Sequence, residues 1–390
     1  MSSILTFSVE DIYGVPKLTQ DYTVDLLNEE IVDNLQYEKP IEFNHPTPQQ
    51  RFKTVKTVDG RISLDFTYEN LAWGPLFQTL MGQKIPLSNS SLATTPEKWN
   101  ILTGMLTSGI TSTQTTFSIT EYTTGEFDNI DGIIVRGEYI AVTAISNGSV
   151  TLSTRGQTGT VAASHPQNAL VYGVVNSPGH TISICSRYRN GFSYFLPTSL
   201  TLVIKRVSDY FAFSGIQFQD FVFNAVPTEG TTASFMTRGM NSSLPDISSP
   251  SVAMDNNQLI DTDQVNCYSM GANLDASRAF FEVSNSLSSG PPKFLNNIAQ
   301  SLLLNNFSTY GQFTAGEQTL DFYNSYNDND TKNLSISICD QKLFSQAYVF
   351  AFNDVKWGTM VHTLGSSYFI YDSIPFYCYG EDDFTILIQN

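Results

Sequence analysis

Phe211-Ala212-Phe213-Ser214-Gly215-Ile216-Gln217-Phe218 is answered later in the chain by Phe350-Ala351-Phe352-Asn353-Asp354-Val355-Lys356-Trp357. Each copy follows an alternating strand pattern, Ser199 to Lys205 in the first and Leu334 to Cys339 in the second. Each precedes another strand pattern with Phe four residues before Gly, Phe235 and Gly239 and then Phe376 and Gly380. Side chains that alternate with period two define half-buried strands. A duplicated β-unit serves assembly more readily than catalysis, because one surface can meet a copy of another.

Working outward, Thr54 to Val58 and Arg61 to Phe66 read as strands either side of Asp59-Gly60, a hairpin signal. Glu69 to Met81 changes period: Leu71, Leu76, Phe77 and Leu80 mark one face of a short helix, with Gly74-Pro75 in its first turn. The same order recurs from Gly311 to Ala315 and then the helix-like Glu317 to Tyr326. Between these arms, Gly137 to Ser146 alternates, Asn147-Gly148 turns and Ser149 to Thr154 returns. Asn-Gly in this setting predicts a two-residue turn with positive φ at both positions. Ser, Pro and Asn crowd the stretch from Met240 to Ser251. The expected organisation is mainly β. A first unit comprises residues 1–106 and 176–245, and a small β-module at 107–175 is inserted in it. A linker at 246–263 leads to a second unit at 264–390, and each unit carries a short flanking helix.

Charged residues make up only 15% of the chain and aromatics 13%, which suits polar-faced sheets and subunit interfaces. The 20 basic and 37 acidic residues leave a net charge of −17. Tight binding to DNA needs Lys and Arg that displace phosphate counterions, so this balance argues against a surface that grips a polyanion. Cys185, Cys267, Cys339 and Cys378 are far apart, and reduced core cysteines of a cytoplasmically folded protein are expected. The opening residues lack a basic, apolar leader pattern, and no apolar run approaches the ~20 residues of a membrane helix.

The search for chemistry returns little. His45, His165, His180 and His362 stand outside metal-binding spacings and read as loop or surface histidines. Asp128 to Gly132 has the wrong ligand spacing for a calcium loop. Asn327 to Asp330 reads as a solvated turn after a helix, and Glu381-Asp382-Asp383 points neighbouring carboxylates to opposite faces of a strand. No phosphate-binding glycine motif occurs, Gly191-Phe192-Ser193 lacks the second glycine of a nucleophile elbow, and Lys205-Arg206 reads as a solvated strand end. No catalytic, cofactor-binding or metal-binding residue is singled out, and an enzyme is not expected.

Tyr210 to Phe223, then Pro227 to Gly230, then Ala233 to Gly239 resemble the major tail tube proteins of tailed bacteriophages. Gly60 to Phe66 with its helix, and Asn285 to Leu287 with Gly311 to Phe322, extend the resemblance. The stretch Thr154-Arg155-Gly156-Gln157-Thr158-Gly159-Thr160 with His165 is similar to a small β-domain inserted in assorted phage virion proteins. The resemblance implies β-sandwich units that oligomerise into rings stacked head to tail, their inner strands closing one barrel around a channel for viral DNA. Its implied setting is the virion tail, assembled in the host cytoplasm, with tape-measure and tail completion proteins as further partners. With two units per chain, three chains would complete a pseudo-sixfold ring, six being the count for single-unit members. The large insert is expected to point outward, which fits a naked, non-contractile tail, and the net negative charge is expected to let DNA slide. Two other readings stay open: a tail completion or hub ring protein of the same fold, and a β-rich receptor- or glycan-binding tail protein.

Overall fold

A computed structural model describes residues 3–38, 52–68, 71–87, 103–121, 127–128, 130–174, 182–187, 189–190, 193–194, 198–206, 209–226, 230–244, 258–260, 264–269, 272–274, 276–289, 302–315, 324, 326–339, 347–359, 361–364, 370–378 and 384–389. The protein is mainly β. The first arm contains β1 (Ser3–Val9), β2 (Tyr22–Glu29), β3 (Val32–Glu38), β4 (Phe52–Asp65), β5 (Thr67–Tyr68), α1 (Trp73–Met81) and β6 (Gln83–Leu87). The insert follows with β7 (Thr103–Leu106), β8 (Phe117–Glu121), β9 (Gly132–Val135), β10 (Glu138–Ser146), β11 (Ser149–Thr154) and β12 (Leu170–Val174). The chain returns through β13 (Ile182–Ser186), β14 (Arg189–Asn190), β15 (Ser193–Tyr194), β16 (Leu200–Arg206), β17 (Asp209–Val226), β18 (Gly230–Gly239) and β19 (Asn241–Ser243). Beyond β20 (Gln258–Leu259) come β21 (Val265–Ser269), β22 (Ala272–Leu274), β23 (Ala276–Ser289) and β24 (Leu302–Ala315). The last strands are β25 (Lys332–Cys339), β26 (Ala347–Trp357), β27 (Val361–Leu364), β28 (Ile370–Cys378) and β29 (Phe384–Gln389).

The two copies of the repeat share their pairing register. Leu202 faces Phe213 and Ile204 faces Phe211; in the second copy Leu334 faces Phe352 and Ile336 faces Phe350. In the first copy the strands close a cycle, β1–β2–β4–β18–β17–β16 and back to β1. The second repeats it as β21–β22, then β23–β24–β28–β26–β25 and back to β21. Closing the pairing in this way leaves few raw sheet edges inside each unit.

Four bulges recur at matched places. One extra residue enters β17 between the partners of Leu202 and Leu200, and one enters β26 between those of Leu334 and Lys332. The others are Leu27 with Ser277, an extra residue in β4 with one in β24, and Gln219 with one between Trp357 and Val361. A one-residue slip flips every side chain to the other face. Matched bulges therefore preserve which side of each strand meets the core. This register also corrects one expected match: Gly60 corresponds to Gly311, so Phe235 corresponds to Ile374 and not to Phe376.

Asp59-Gly60 is no turn, because β4 runs through it without a break. Gly60 is required for another reason: a Cβ there would lie 2.4 Å from the Glu30 carbonyl oxygen and 2.5 Å from Ile31 Cα. β2 and β3 pair with β4 in one register, and Glu30 and Ile31 between them pass so close to it that only a bare backbone fits at Gly60.

α1 is buried on every side but Gln78, and Trp73, Leu76, Phe77 and Leu80 join the core. Leu71 lies before the helix and is exposed, contrary to its place in the expected apolar face. Pro75 sits in the first turn, where no N–H partner is lost, and Gly82 ends the helix at φ 89° with its N–H on the Gln78 carbonyl. Of the helix expected from Glu317 to Tyr326, only the end lies in the described residues, where Asn324, Tyr326 and Asn327 are helical. The following turn is exposed, with Asn329 at φ 53°.

One core spans both units. The Phe350 ring packs against Phe66, Phe77, Phe221 and Phe223 of the first unit and Phe281 and Phe384 of the second, with centroids 4.8–6.5 Å apart. Offset and edge-on ring pairs of this kind add to area burial. The units are therefore halves of a single folded body.

β7 to β12 close a six-stranded barrel of their own, beginning four residues before position 107. Asn147 and Gly148 have φ 46° and 71°, as the turn signal predicts. The barrel is anchored through β6 and β13, which pair with each other, while β13 continues onto the second unit's β29. Ile134, Leu170 and Tyr172 of the barrel pack on Ile184, Val349 and Leu387 of that sheet.

Candidate functional site

Eight antiparallel strands form one continuous run across the molecule: β3–β4–β18–β17, then β23–β24–β28–β27. The first unit supplies four and the second four, in corresponding order. The halves join where β17 meets β23, with Asp220 opposite Ser284, Phe223 opposite Phe281 and Ala225 opposite Ala279. By the shared register β27 occupies the place of this part of β17, and β3 that of β23. Among the described residues β27 pairs only with β28, and β3 only with β4. The run thus ends on the same two kinds of edge that meet in its middle.

The internal joint is fastened on both faces. Toward the core, Phe221, Phe223 and Phe281 interlock with Phe350. The Asn285 amide donates to the Leu80 and Phe218 carbonyls at 2.8 and 3.2 Å, and Arg187 donates to the Asn285 side chain. On the other face, Ser284 Oγ donates to Asp220 Oδ1 at 2.6 Å. Arg238 binds Asp59 Oδ1 at 2.7 Å and the Leu287 carbonyl at 2.9 Å, tying the first unit to the second.

The open side presents different chemistry at the matched positions. Glu29 stands for Ala279 and Arg206 for Ile338, and they form a two-pronged ion pair with both N–O distances at 2.7 Å. Arg206 also donates to the Ile31 carbonyl at 2.6 Å and covers the rings of Phe211 and Phe213. Burial pushes the Glu29 carboxyl upward, but the Arg206 and Ile31 hydrogen bonds outweigh it and hold the group below its ordinary range. Arg206 is consequently not the solvated strand end its sequence context implied; it shields Phe211, whose counterpart Phe350 is fully buried.

The solvent face of the central strands β4, β18, β17, β23, β24 and β28 is close to charge balance. Among its described residues it carries Asp59, Asp65, Asp220 and Glu282 against Arg61, Arg238 and Arg278. Burial, with Asp25 alongside, raises the Asp65 carboxyl, and burial with Asp220 raises Glu282 despite Arg61. The molecule's negative excess is therefore not concentrated on these strands.

The remaining sequence candidates resolve into structural roles. His165 is buried, not a surface histidine, and its Nε2 lies 2.7 Å from Glu138 Oε2. Arg155 grips the same carboxylate through two bonds of 2.8 Å, and the Gly156 and Ala163 amides donate to it at 2.9 and 3.0 Å. Burial raises the Glu138 carboxyl, but His165, Arg155 and Ala163 together bring it down to about 2. This explains the Arg155-to-His165 pattern as the pin of the barrel. Its signal in the sequence lacked Glu138, 17 residues upstream of Arg155. Asp128 accepts a hydrogen bond from the Asn147 amide at 2.7 Å, closing a turn. Cys185, Cys267 and Cys378 are buried, and burial raises the thiols of the first two to about 12. His45, His180 and residues 381–383 lie outside the described residues, and no group of metal-ligand type gathers among those described. No described helix is long and apolar enough to cross a membrane. Compared with known proteins, the chain matches no family model and no curated protein.

Proposed function

We propose that this chain is a structural subunit that assembles with copies of itself into rings and stacked rings, the tail tube of a phage virion, through which viral DNA passes. The observation that carries this reading is the sheet run whose open edges match the pair joined at its centre. A heterologous contact repeats until it closes or becomes a filament. Such closure would remove the two edges that invite uncontrolled pairing. Because each chain already holds two units, three chains would give a pseudo-sixfold ring, and tape-measure and tail completion proteins would bound the tube. A DNA-facing surface close to charge balance would neither grip the polyanion through released counterions nor repel it strongly. The inserted barrel, packed on the β6–β13–β29 sheet, would then decorate the outside. Negative-stain microscopy of the purified protein tests this: hollow rings or tubes with threefold-repeating chains are expected. A protein that stays monomeric at high concentration under varied salt would refute it.

A further inference from the structure

We infer that the contact between chains has a defined register, with β27 of one chain adding antiparallel to β3 of the next so that Val361 lies opposite Val32. This rests on the assembly reading and deepens it, since the partner is a second copy of this chain and the contacting residues are named. The register is read from the internal joint. There Val222 lies opposite Glu282 and Phe223 opposite Phe281. The pairings of β17 with β18 and of β27 with β28 match after the same bulge, with Ala225 on Thr231 and Leu364 on Ile370. Val361 therefore stands where Val222 does. On the other side, β3 on β4 and β23 on β24 match through two bulges, with Asn34 on Thr57 and Ser284 on Ser308. Val32 therefore stands where Glu282 does, and Ile31 where Phe281 does.

The open edge is built for such a partner. Val32 is 61% exposed on a strand edge, where a soluble protein ordinarily places charge. Its neighbour in sequence, Ile31, is only 1% exposed and already turned into the core, as Phe281 is at the internal joint. Docking brings the β27 backbone against Val32 and supplies strand hydrogen bonds to both edges. The Glu29–Arg206 pair at the positions of Ala279 and Ile338 keeps the flank of this edge wettable in a free chain.

The test is a Val32→Cys/Val361→Cys double variant, treated with a short thiol-to-thiol crosslinker under assembling conditions. Cβ atoms of directly opposed antiparallel residues lie roughly 5 Å apart, within its span. Of the four native cysteines, Cys185, Cys267 and Cys378 are buried, and a Cys339→Ser background removes the fourth from the test. Chain-to-chain crosslinks are expected in the double variant and not in either single one. A maleimide should also label Val32→Cys at least tenfold more slowly in assembled particles than in free chains. Particles that form but crosslink instead in a Val32→Cys/Thr363→Cys variant would overturn the register and leave the assembly reading standing. Particles in which Val32→Cys labels at the free rate would overturn the β3 contact itself. Absence of any particle in the unmodified protein would remove both proposals.

Discussion

Gly215 and Asp354 are the same residue of the fold, met twice: each is the left-handed member of a bulge, at φ 67° and 52°, in the same register against β16 and β25. Their amides are satisfied by different means. The Gly215 N–H donates to Glu10 at 2.8 Å, and the Asp354 N–H to the Asn333 side chain at 3.3 Å. Glu10 also accepts from Ser199, Thr201 and Gly14. Glycine adopts positive φ without penalty, whereas other residues lose about 1–2 kcal/mol there. At Gly215 a Cβ would also lie 2.6 Å from Met240 Cγ. Gly215→Ala should therefore destabilise the protein by about 2 kcal/mol or more. Asp354→Gly should stay within about 1 kcal/mol of wild type, since relief of the backbone offsets loss of the ion pair that Asp354, 41% exposed, makes with Arg136. Urea midpoints of the two variants measure the contrast, and equal losses would contradict it.

Gly60→Ala separates a turn glycine from one that allows a close backbone approach. In an Asp-Gly hairpin turn the substitution would strain φ alone. Here the added methyl meets backbone atoms of Glu30 and Ile31 that no rotamer change can move. Overpacking of this kind destabilises by about 1–3 kcal/mol. Hydrogen exchange should show the loss in β2, β3 and β4 together, and protection unchanged there would contradict the close approach.

Much of this fold was legible in the chain: strand patterns, the helix, the Asn147-Gly148 turn and the repeated Phe211 and Phe350 stretches all follow from local chemistry. Pairing was less so. A period of two tells which residues share a face but not which strand lies alongside, so Asp59-Gly60 read as a turn and Phe235 was set against Phe376. The open assembly edges were illegible for the same reason. β3 and β27 carry no motif, and their meaning comes only from the equivalence of their positions with β23 and β17. His165 lies in a loop, as read, but its burial is not legible, because its partner, Glu138, becomes a neighbour only when the barrel closes.

Glu138 gives the inserted barrel a pH limit. Its folded pKa, about 2, lies below the ordinary value of 4.5. Stability from this depression is complete above the unfolded pKa and disappears as pH falls through 4.5 toward 2. The difference corresponds to about 3 kcal/mol at neutral pH. Glu138→Gln should lose that acid dependence and also destabilise the barrel at pH 7, because Arg155, only 5% exposed, keeps no charged partner. Hydrogen exchange of barrel peptides between pH 7 and 3 reads both effects. A Glu138→Gln barrel as protected as wild type at pH 7 would contradict the pin.

Excising the barrel tests whether it is detachable. Its strands close on one another, with Ile133, Val135, Ile140 and Val171 in a core of their own, so by topology alone removal ought to be harmless. Packing argues otherwise. Ile85, Ile182, Ile184, Val349 and Leu387 belong to the sheet beneath and are buried against barrel residues Met105, Ile134, Tyr139, Leu170 and Tyr172. Joining β6 to β13 through a short Gly-containing turn would bare that apolar face, and large exposed apolar patches drive association. The excised chain should therefore aggregate when purified, with increased binding of a hydrophobic dye. Replacing Ile182, Ile184 and Val349 by Thr in the excised chain should restore solubility while leaving the Cys185 side of β13 in the main core. If the excised chain is as soluble as wild type without those replacements, the barrel is an ornament on the sheet and not its cover.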